Sequence, residues 1–368
     1  MDTELTEEQA ELADAVRTLL ERRAGSAAVR SVMADPAGDT QLWQTLAEEV
    51  GIAAIAVPEE YGGFGATVFE SHLVLEQLGE ALAVVPALGS GVLATQAILA
   101  GADEDARIRL LPSLASGERT GALAWADSRG RWSPETVDVT ASLTGDDWTL
   151  DGEAPLVLDG ANADVVIVIA RTPSGPGLFE VADPASLDRV GTPAVDPTLR
   201  LSTLRFSTAA ARPLSMGDAA AIDRIRVCAL VAISALQTGA AARGLSMTLT
   251  YAGQRTQFGR PIGSFQALKH RLADMHVQLE SARSISRAAA RALAVDDPDA
   301  ARLAGMAKAW CGDALDLIAS ETIQLHGGIG ITWEHDAQLV FKRAHALSQL
   351  FGQASDQRAQ LATALGLA

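Results

Sequence analysis

The apolar residues of this chain change spacing twice along its length, and that change limits the folds open to it. Up to about Gly121 they recur at helical spacing. Over 121–213 they gather into short β-branched runs separated by turn residues. From Met216 they return to helical spacing. Helix and strand need periods of about 3.6 and 2, so one pattern cannot serve both. The expectation is an α+β chain, mainly α: an N-terminal helical domain over 1–120, a small middle β-barrel or sandwich over 121–215, and a C-terminal domain resembling a four-helix bundle over 216–368. A length of 368 residues exceeds what one core usually serves, which agrees with two or three packed domains.

In the first region, 4–23 reads as an amphipathic helix with Thr6 as N-cap, Glu7 and Glu8 in its first turn, and an apolar stripe from Leu12 to Leu20. Further helices are expected over 42–50, 67–82, 88–101 and 104–116, with a turn-rich loop at Pro58–Gly65. In the middle region the runs Val137–Thr140, Trp148–Leu150, Val165–Ala170 and Leu204–Phe206 read as strands. In the third, helices are expected over 223–251, 265–294, 297–325, 336–351 and 355–365. Asp297 is the expected N-cap of the 297–325 helix, with Pro298 at its first position. Trp43 and Trp310 fall on apolar faces and are expected in the core.

Composition excludes several function classes. A net charge of −17 argues against a nucleic-acid binder, which needs a basic footprint. Cys228 and Cys311 lie inside apolar stretches and read as buried small hydrophobes. The histidines show no metal-ligand spacing. No apolar run reaches membrane-spanning length, and Met1–Glu8 lacks the apolar core of a signal peptide, so a cytoplasmic protein is expected.

Two segments carry most of the chemistry. Arg255-Thr-Gln-Phe-Gly259 offers a fixed cation and an aromatic ring. Gln324-Leu-His-Gly-Gly-Ile-Gly330 offers an amide side chain ahead of a glycine-rich turn. Together they suit a large anionic, aromatic ligand, with Arg255 on phosphate, Phe258 against a flat ring and backbone amides at the glycines. On spacing alone a second reading of Arg255–Gly259 stays open: a helix C-terminus, with Arg255 near the dipole and Gly259 as the stop before Pro261.

The order of domains and these motifs resemble the acyl-CoA dehydrogenase family along the whole chain. Besides the two segments, Val57-Pro-Glu-Glu-Tyr-Gly-Gly-Phe-Gly65 and Leu110-Leu-Pro-Ser-Leu-Ala-Ser-Gly117 resemble the family's first domain. The resemblance implies FAD as cofactor, an acyl-CoA thioester as substrate, an electron-transfer acceptor, and introduction of an α,β double bond. It implies that Arg255, Phe258, Gln324, Gly327 and Gly328 reach FAD lodged mainly in a neighbouring subunit.

The chain departs from the family pattern in three places. The two positions where the family carries its catalytic glutamate fall at Phe351 and Ala229, and neither residue can take a proton. The family's flavin-binding loop is replaced by Trp125-Ala-Asp-Ser-Arg-Gly-Arg-Trp132, in which Ser128 and Gly130 keep part of its chemistry. The strand end that faces the flavin reads Leu156-Val-Leu-Asp-Gly160, without the family's indole and hydroxyl. The expectation is a subunit that completes a partner's FAD site while its own is degenerate, as in the heterotetrameric acyl-CoA dehydrogenases of actinobacteria that act on steroid side chains. Two alternatives stand beside it: a self-sufficient flavoenzyme with Glu334, His335 or Glu321 as base, and an assembly protein without flavin.

Overall fold

The computed structural model describes residues 5–367. The helices in chain order are α1 (Glu7–Arg23), α2 (Ser26–Val32), α3 (Thr40–Glu49), α4 (Val68–Ala81), a π-helical segment (Ala87–Ala94), α5 (Thr95–Gly101), α6 (Glu104–Ala115), α7 (Ala219–Gln254), α8 (Gln266–Ala294), α9 (Ala300–His326), α10 (Ala337–Gln349) and α11 (Ala354–Ala364). The strands are β1 (Gly121–Ala124), β2 (Thr140–Thr144), β3 (Asp147–Leu158), β4 (Val165–Thr172), β5 (Gly175–Val181), β6 (Asp188–Thr192) and β7 (Leu201–Met216), followed by a two-stranded hairpin, β8 (Thr256–Gln257) and β9 (Arg260–Pro261). The mainly helical fold with a central β-region agrees with the sequence.

Contacts gather the chain into two compact units. One holds the chain up to Val29, His72–Ala83 and everything from Leu230 onward. Its N-terminal helix is fixed by a capping box, in which the Gln9 amide donates to the Thr6 hydroxyl and the Thr6 amide to the Gln9 side chain. α4 and α7 approach closely because glycines face the partner helix. A Cβ on Gly239 would stand 1.9 Å from the Glu76 carbonyl oxygen, and one on Gly79 2.5 Å from that of Leu236. α8 and α9 pack through small residues, Ala282 against Cys311 and Ala314. A buried polar seam runs through this unit. Glu76 takes ion pairs from Arg283 and Arg287, and Ser286 bridges the His72 imidazole and Ser234.

The other unit holds Arg30–Ser71 and Val84–Ala229. Strands β4, β2, β3, β7 and β5 pair in a closed ring, because β4 also pairs with β5. β1 lies parallel to β4, and β6 pairs with β7. Ring closure leaves no free edge on the central strands. Leu150, Val166, Val168, Phe179 and Leu204 fill the barrel.

Four local expectations are corrected. Val137 and Val139 are buried, but the backbone bond found there is Arg171 N–H to the Val139 carbonyl, and the strand starts at Thr140. The 88–101 helix begins as a π-helix. Asp297 folds into a turn, accepting from the Asp299 amide at 2.8 Å, and α9 begins at Ala300 with Asp299 as N-cap. Trp43 is buried, its indole N–H on the Gly117 carbonyl, but Trp310 is 46% exposed. Cys228 and Cys311 are buried thiols outside any disulfide, as expected.

Candidate functional site

α7 stops at Gln254, and Arg255 donates its amide to the Tyr251 carbonyl at 2.8 Å. The chain then turns back on itself. Thr256 pairs with Pro261 and Gln257 with Arg260, and the Ile262 amide donates to the Arg255 carbonyl. Phe258 and Gly259, both at positive φ (53° and 73°), form the two-residue turn. Such a turn matches strand twist but strains a phenylalanine, which belongs poorly in the left-handed region. Phe258 is 92% exposed at the tip, touching only the edge of Phe265 at 6.1 Å, and the Arg260 guanidinium lies over the Phe265 ring. The segment is therefore a rigid hairpin beyond a helix end, and Gly259 serves the turn rather than stopping the helix. Arg255 is exposed at its base.

α9 delivers the second segment. Gln324 is exposed on its last turn, and its carbonyl accepts the Gly327 amide. Gly327 takes φ 62°, and a Cβ on Gly327 or Gly328 would meet nothing within 4 Å. These two backbones face open space. Gly330 does the opposite: a Cβ there would stand 2.9 Å from the Ile323 carbonyl and 3.1 Å from His326 Cβ. The turn is thus packed down on His326 at one end and open at the other.

The two segments belong to one unit. The Tyr251 ring, four residues before Arg255, lies 4.5 Å from the His326 ring, two residues after Gln324. His335 stands 4.4 Å from His326 and 6.4 Å from Tyr251. His326 Nδ1 lies 2.7 Å from the Thr322 carbonyl, which only accepts, so Nδ1 carries the proton. Its Nε2 is left a buried acceptor without a donor. Burial, the Thr322 carbonyl opposing it, and His335 adding to it, holds the His326 imidazole below its usual range. Neither Tyr251 nor His326 stands out in the sequence, since nothing links positions 251 and 326 until α7 and α9 pack; the histidine inside Gln324–Gly330 was the available signal.

At the two positions where the resemblance puts the family's base, Ala229 is fully buried and Phe351 is buried in a turn with positive φ at both Phe351 and Gly352. The backbone there is held by Lys308, whose buried ammonium donates to the carbonyls of Gly352 at 2.9 Å and Ser348 at 3.3 Å, and which burial pushes down to about 8. The three alternative bases are engaged or open to solvent. Glu321 is ion-paired with Arg271, His335 Nδ1 accepts from the Ala337 amide, and Glu334 is exposed. Asp223 pairs with Arg226 on the first turns of α7.

In the barrel unit, the loop Trp125–Trp132 is closed by its own acceptors. The Asp127 amide donates to the Arg131 carbonyl, Ser128 N–H to the Asp138 carboxylate, Arg129 and Arg131 N–H to the Asp127 carboxylate, and Gly130 N–H to the Asp127 carbonyl. The Arg131 guanidinium completes the ring around Asp127. Burial alone would raise the Asp127 carboxyl, but the bonds from Arg131, Thr136 and Arg129 outweigh it and hold it below the usual range. Leu156, at φ 57° in an irregular stretch of β3, lies against Gly130, whose Cβ would stand 3.4 Å from the leucine Cδ1. Every backbone donor from Asp127 to Arg131 is spent within the protein, and a leucine covers the glycine. Those donors offer a flavin nothing, whereas the open backbone at Gly327–Gly328, the exposed Arg255 and the exposed Phe258 ring suit a planar, anionic nucleotide.

Known proteins place this arrangement. The family description "Acyl-CoA dehydrogenase, N-terminal domain" matches residues 6–118, and "Acyl-CoA dehydrogenase, C-terminal domain" matches 227–366. The chain is 39% identical over 345 residues to the acyl-CoA dehydrogenase IpdE2 of Mycobacterium tuberculosis, covering 94% of this chain and 93% of the relative. It resembles the ChsE4–ChsE5 complex from Mycobacterium tuberculosis with TM-score 0.91 and 29% identity over the full length of both chains. It resembles a steroid ACAD variant, Tcur3481–Tcur3483, with TM-score 0.88 and 30% identity over 98% of each. With both terminal regions matched and a relative of this identity along nearly its whole length, the chain belongs to the acyl-CoA dehydrogenase family.

Proposed function

We propose that this chain is one subunit of a heteromeric acyl-CoA dehydrogenase, and that it lends residues to FAD seated chiefly in a partner subunit while holding neither flavin nor base of its own. FAD supplies, when bound, uptake of the β-hydride of an acyl-CoA thioester. This chain's part is binding and orientation. Arg255 meets a phosphate with its planar fork, Phe258 lies against a ring of the nucleotide, Gln324 offers its amide, and Gly327 and Gly328 bring backbone close to the phosphates. The α-proton is taken by a carboxylate of the partner subunit, since Ala229 and Phe351 cannot take it. A bulky, steroid-type acyl group is the substrate class that the relatives favour. No helix among the described residues is long and apolar enough to cross a membrane, which suits a cytoplasmic enzyme.

The observation that carries this reading is the contrast between the two halves of the site. The backbone donors of the barrel loop are all occupied by protein acceptors and a leucine covers its glycine, whereas the space beside Gly327 and Gly328 is open and the Phe258 ring is exposed. The alternative of a self-sufficient enzyme is weakened by the engagement of Glu321 and His335. The test is expression with and without the partner subunit, followed by a visible spectrum. The chain alone is expected colourless and the complex yellow. A yellow, active homo-oligomer from the single chain contradicts the proposal.

A further inference from the structure

The Tyr251–His326–His335 ring cluster has no part in the function proposed so far. It is nevertheless where the end of α7, just ahead of the hairpin, meets the segment Gln324–Gly330. Tyr251 takes the Arg255 amide on its carbonyl and lays its ring 4.5 Å from His326. His326 anchors the last turn of α9 through Thr322, carries Gly330 packed on its Cβ, and precedes the open pair Gly327–Gly328. A shift of this ring therefore moves the hairpin base and the glycine turn together.

The bonds to the two imidazoles set their tautomers. His326 carries its hydrogen on Nδ1, so its Nε2 is a buried acceptor. His335 accepts the Ala337 amide at Nδ1, so its neutral form carries the hydrogen on Nε2. Protonating His326 would bury a donor lacking an acceptor, 4.4 Å from a second imidazole. Of the charged groups on the neighbouring elements, α10 brings two cations, Lys342 over the Trp333 ring and the buried Arg343. On α7 Arg243 is paired with Asp336, on α9 Glu321 is paired with Arg271, the glycine turn is uncharged, and Glu334 is exposed.

We propose that His326 is a positioning residue for the cofactor site: its ring, held by Thr322, Tyr251 and His335, locks the glycine turn to the Arg255–Gly259 hairpin, and the lock holds only while His326 is uncharged. This rests on the reading that these segments hold FAD bound to a partner. Burial favours the neutral ring in the folded cluster, so the cluster weakens as pH falls below the ordinary imidazole range and is unaffected above it.

The experiment uses the complex of this chain with its partner subunit, stripped of flavin and titrated with FAD by fluorescence between neutral pH and about pH 5. The wild-type complex is expected to lose roughly tenfold in FAD affinity over that range, the equivalent of a single pKa unit of differential stabilisation. His326→Phe keeps a ring against Tyr251 but has no proton to gain. It is expected to weaken FAD binding a few-fold at neutral pH, for the lost bond to Thr322, and to show no such pH dependence. His326→Asn keeps a donor for Thr322 but loses the ring contacts. It is expected to bind roughly tenfold more weakly at every pH. A His326→Phe complex with the wild-type pH slope, or a His326→Asn complex with wild-type affinity, overturns the inference and leaves the trans site standing. A wild-type complex that takes up no FAD overturns both.

Discussion

Phe258 shows most clearly how function is separated from stability at a single position. It is held at φ 53° in a turn that prefers Asn-Gly or Gly-Gly, and with 92% of it exposed it gains little from packing. Strain kept at an exposed apolar residue points to a partner outside the chain. Phe258→Asn is expected to stabilise the chain by about 0.5–1 kcal/mol in urea unfolding, because asparagine accepts the left-handed region. The same substitution is expected to cut FAD affinity in the complex roughly tenfold, the value of a lost ring contact. A change of the same sign in both measurements contradicts this. At this scale the sequence was informative about exposure: Arg255, Phe258, Gln324, Gly327 and Gly328 are all exposed, on the hairpin and at the end of α9. It was silent about the roles of His326 and Asp138, which depend on contacts outside their own segments: Tyr251 for the first, the Ser128 amide for the second.

At the scale of elements, the packing of α4 against α7 and α8 carries a built-in pH response. Burial pushes the His72 imidazole down from 6.5 to about 4, so the folded unit binds this proton less readily than the unfolded chain. Stability is therefore lost as pH falls from 6.5 towards 4 and does not change with this group above 6.5. At about 1.4 kcal/mol per pKa unit the loss approaches roughly 3 kcal/mol. Glu76 adds to it further down. Burial works against its charge, but Arg287 and Arg283 outweigh that and hold its carboxyl below the usual range, so its contribution is lost only in acid. His72→Gln is expected to flatten the dependence of Tm on pH over that window, and an unchanged slope would exclude His72 as its source. Helix positions were legible because long amphipathic runs and caps such as Thr6 are local signals. The hairpin at Thr256–Pro261 and the late start of α9 were not, since a two-residue turn and an Asx turn leave no periodic trace.

At the scale of the whole molecule, the order of helices, barrel and helices was legible from the change in apolar period. The membership of the two compact units was not, because His72–Ala83 joins the C-terminal helices through close helix contacts at Gly79 and Gly239. The same holds for the candidate site. Its outward half could be read from motifs, while the closure of the barrel loop needed Asp127 and Asp138 to be seen on the amides they occupy. The central claim is that this chain completes a cofactor site without owning one. The most direct measurement is the ratio of FAD to polypeptide in the purified complex, for the wild type and for Arg255→Ala in this chain alone. The expected result is half as many FAD molecules as chains, falling sharply in the variant although the partner is untouched. One FAD for every chain, or a ratio that Arg255→Ala leaves intact, would contradict it.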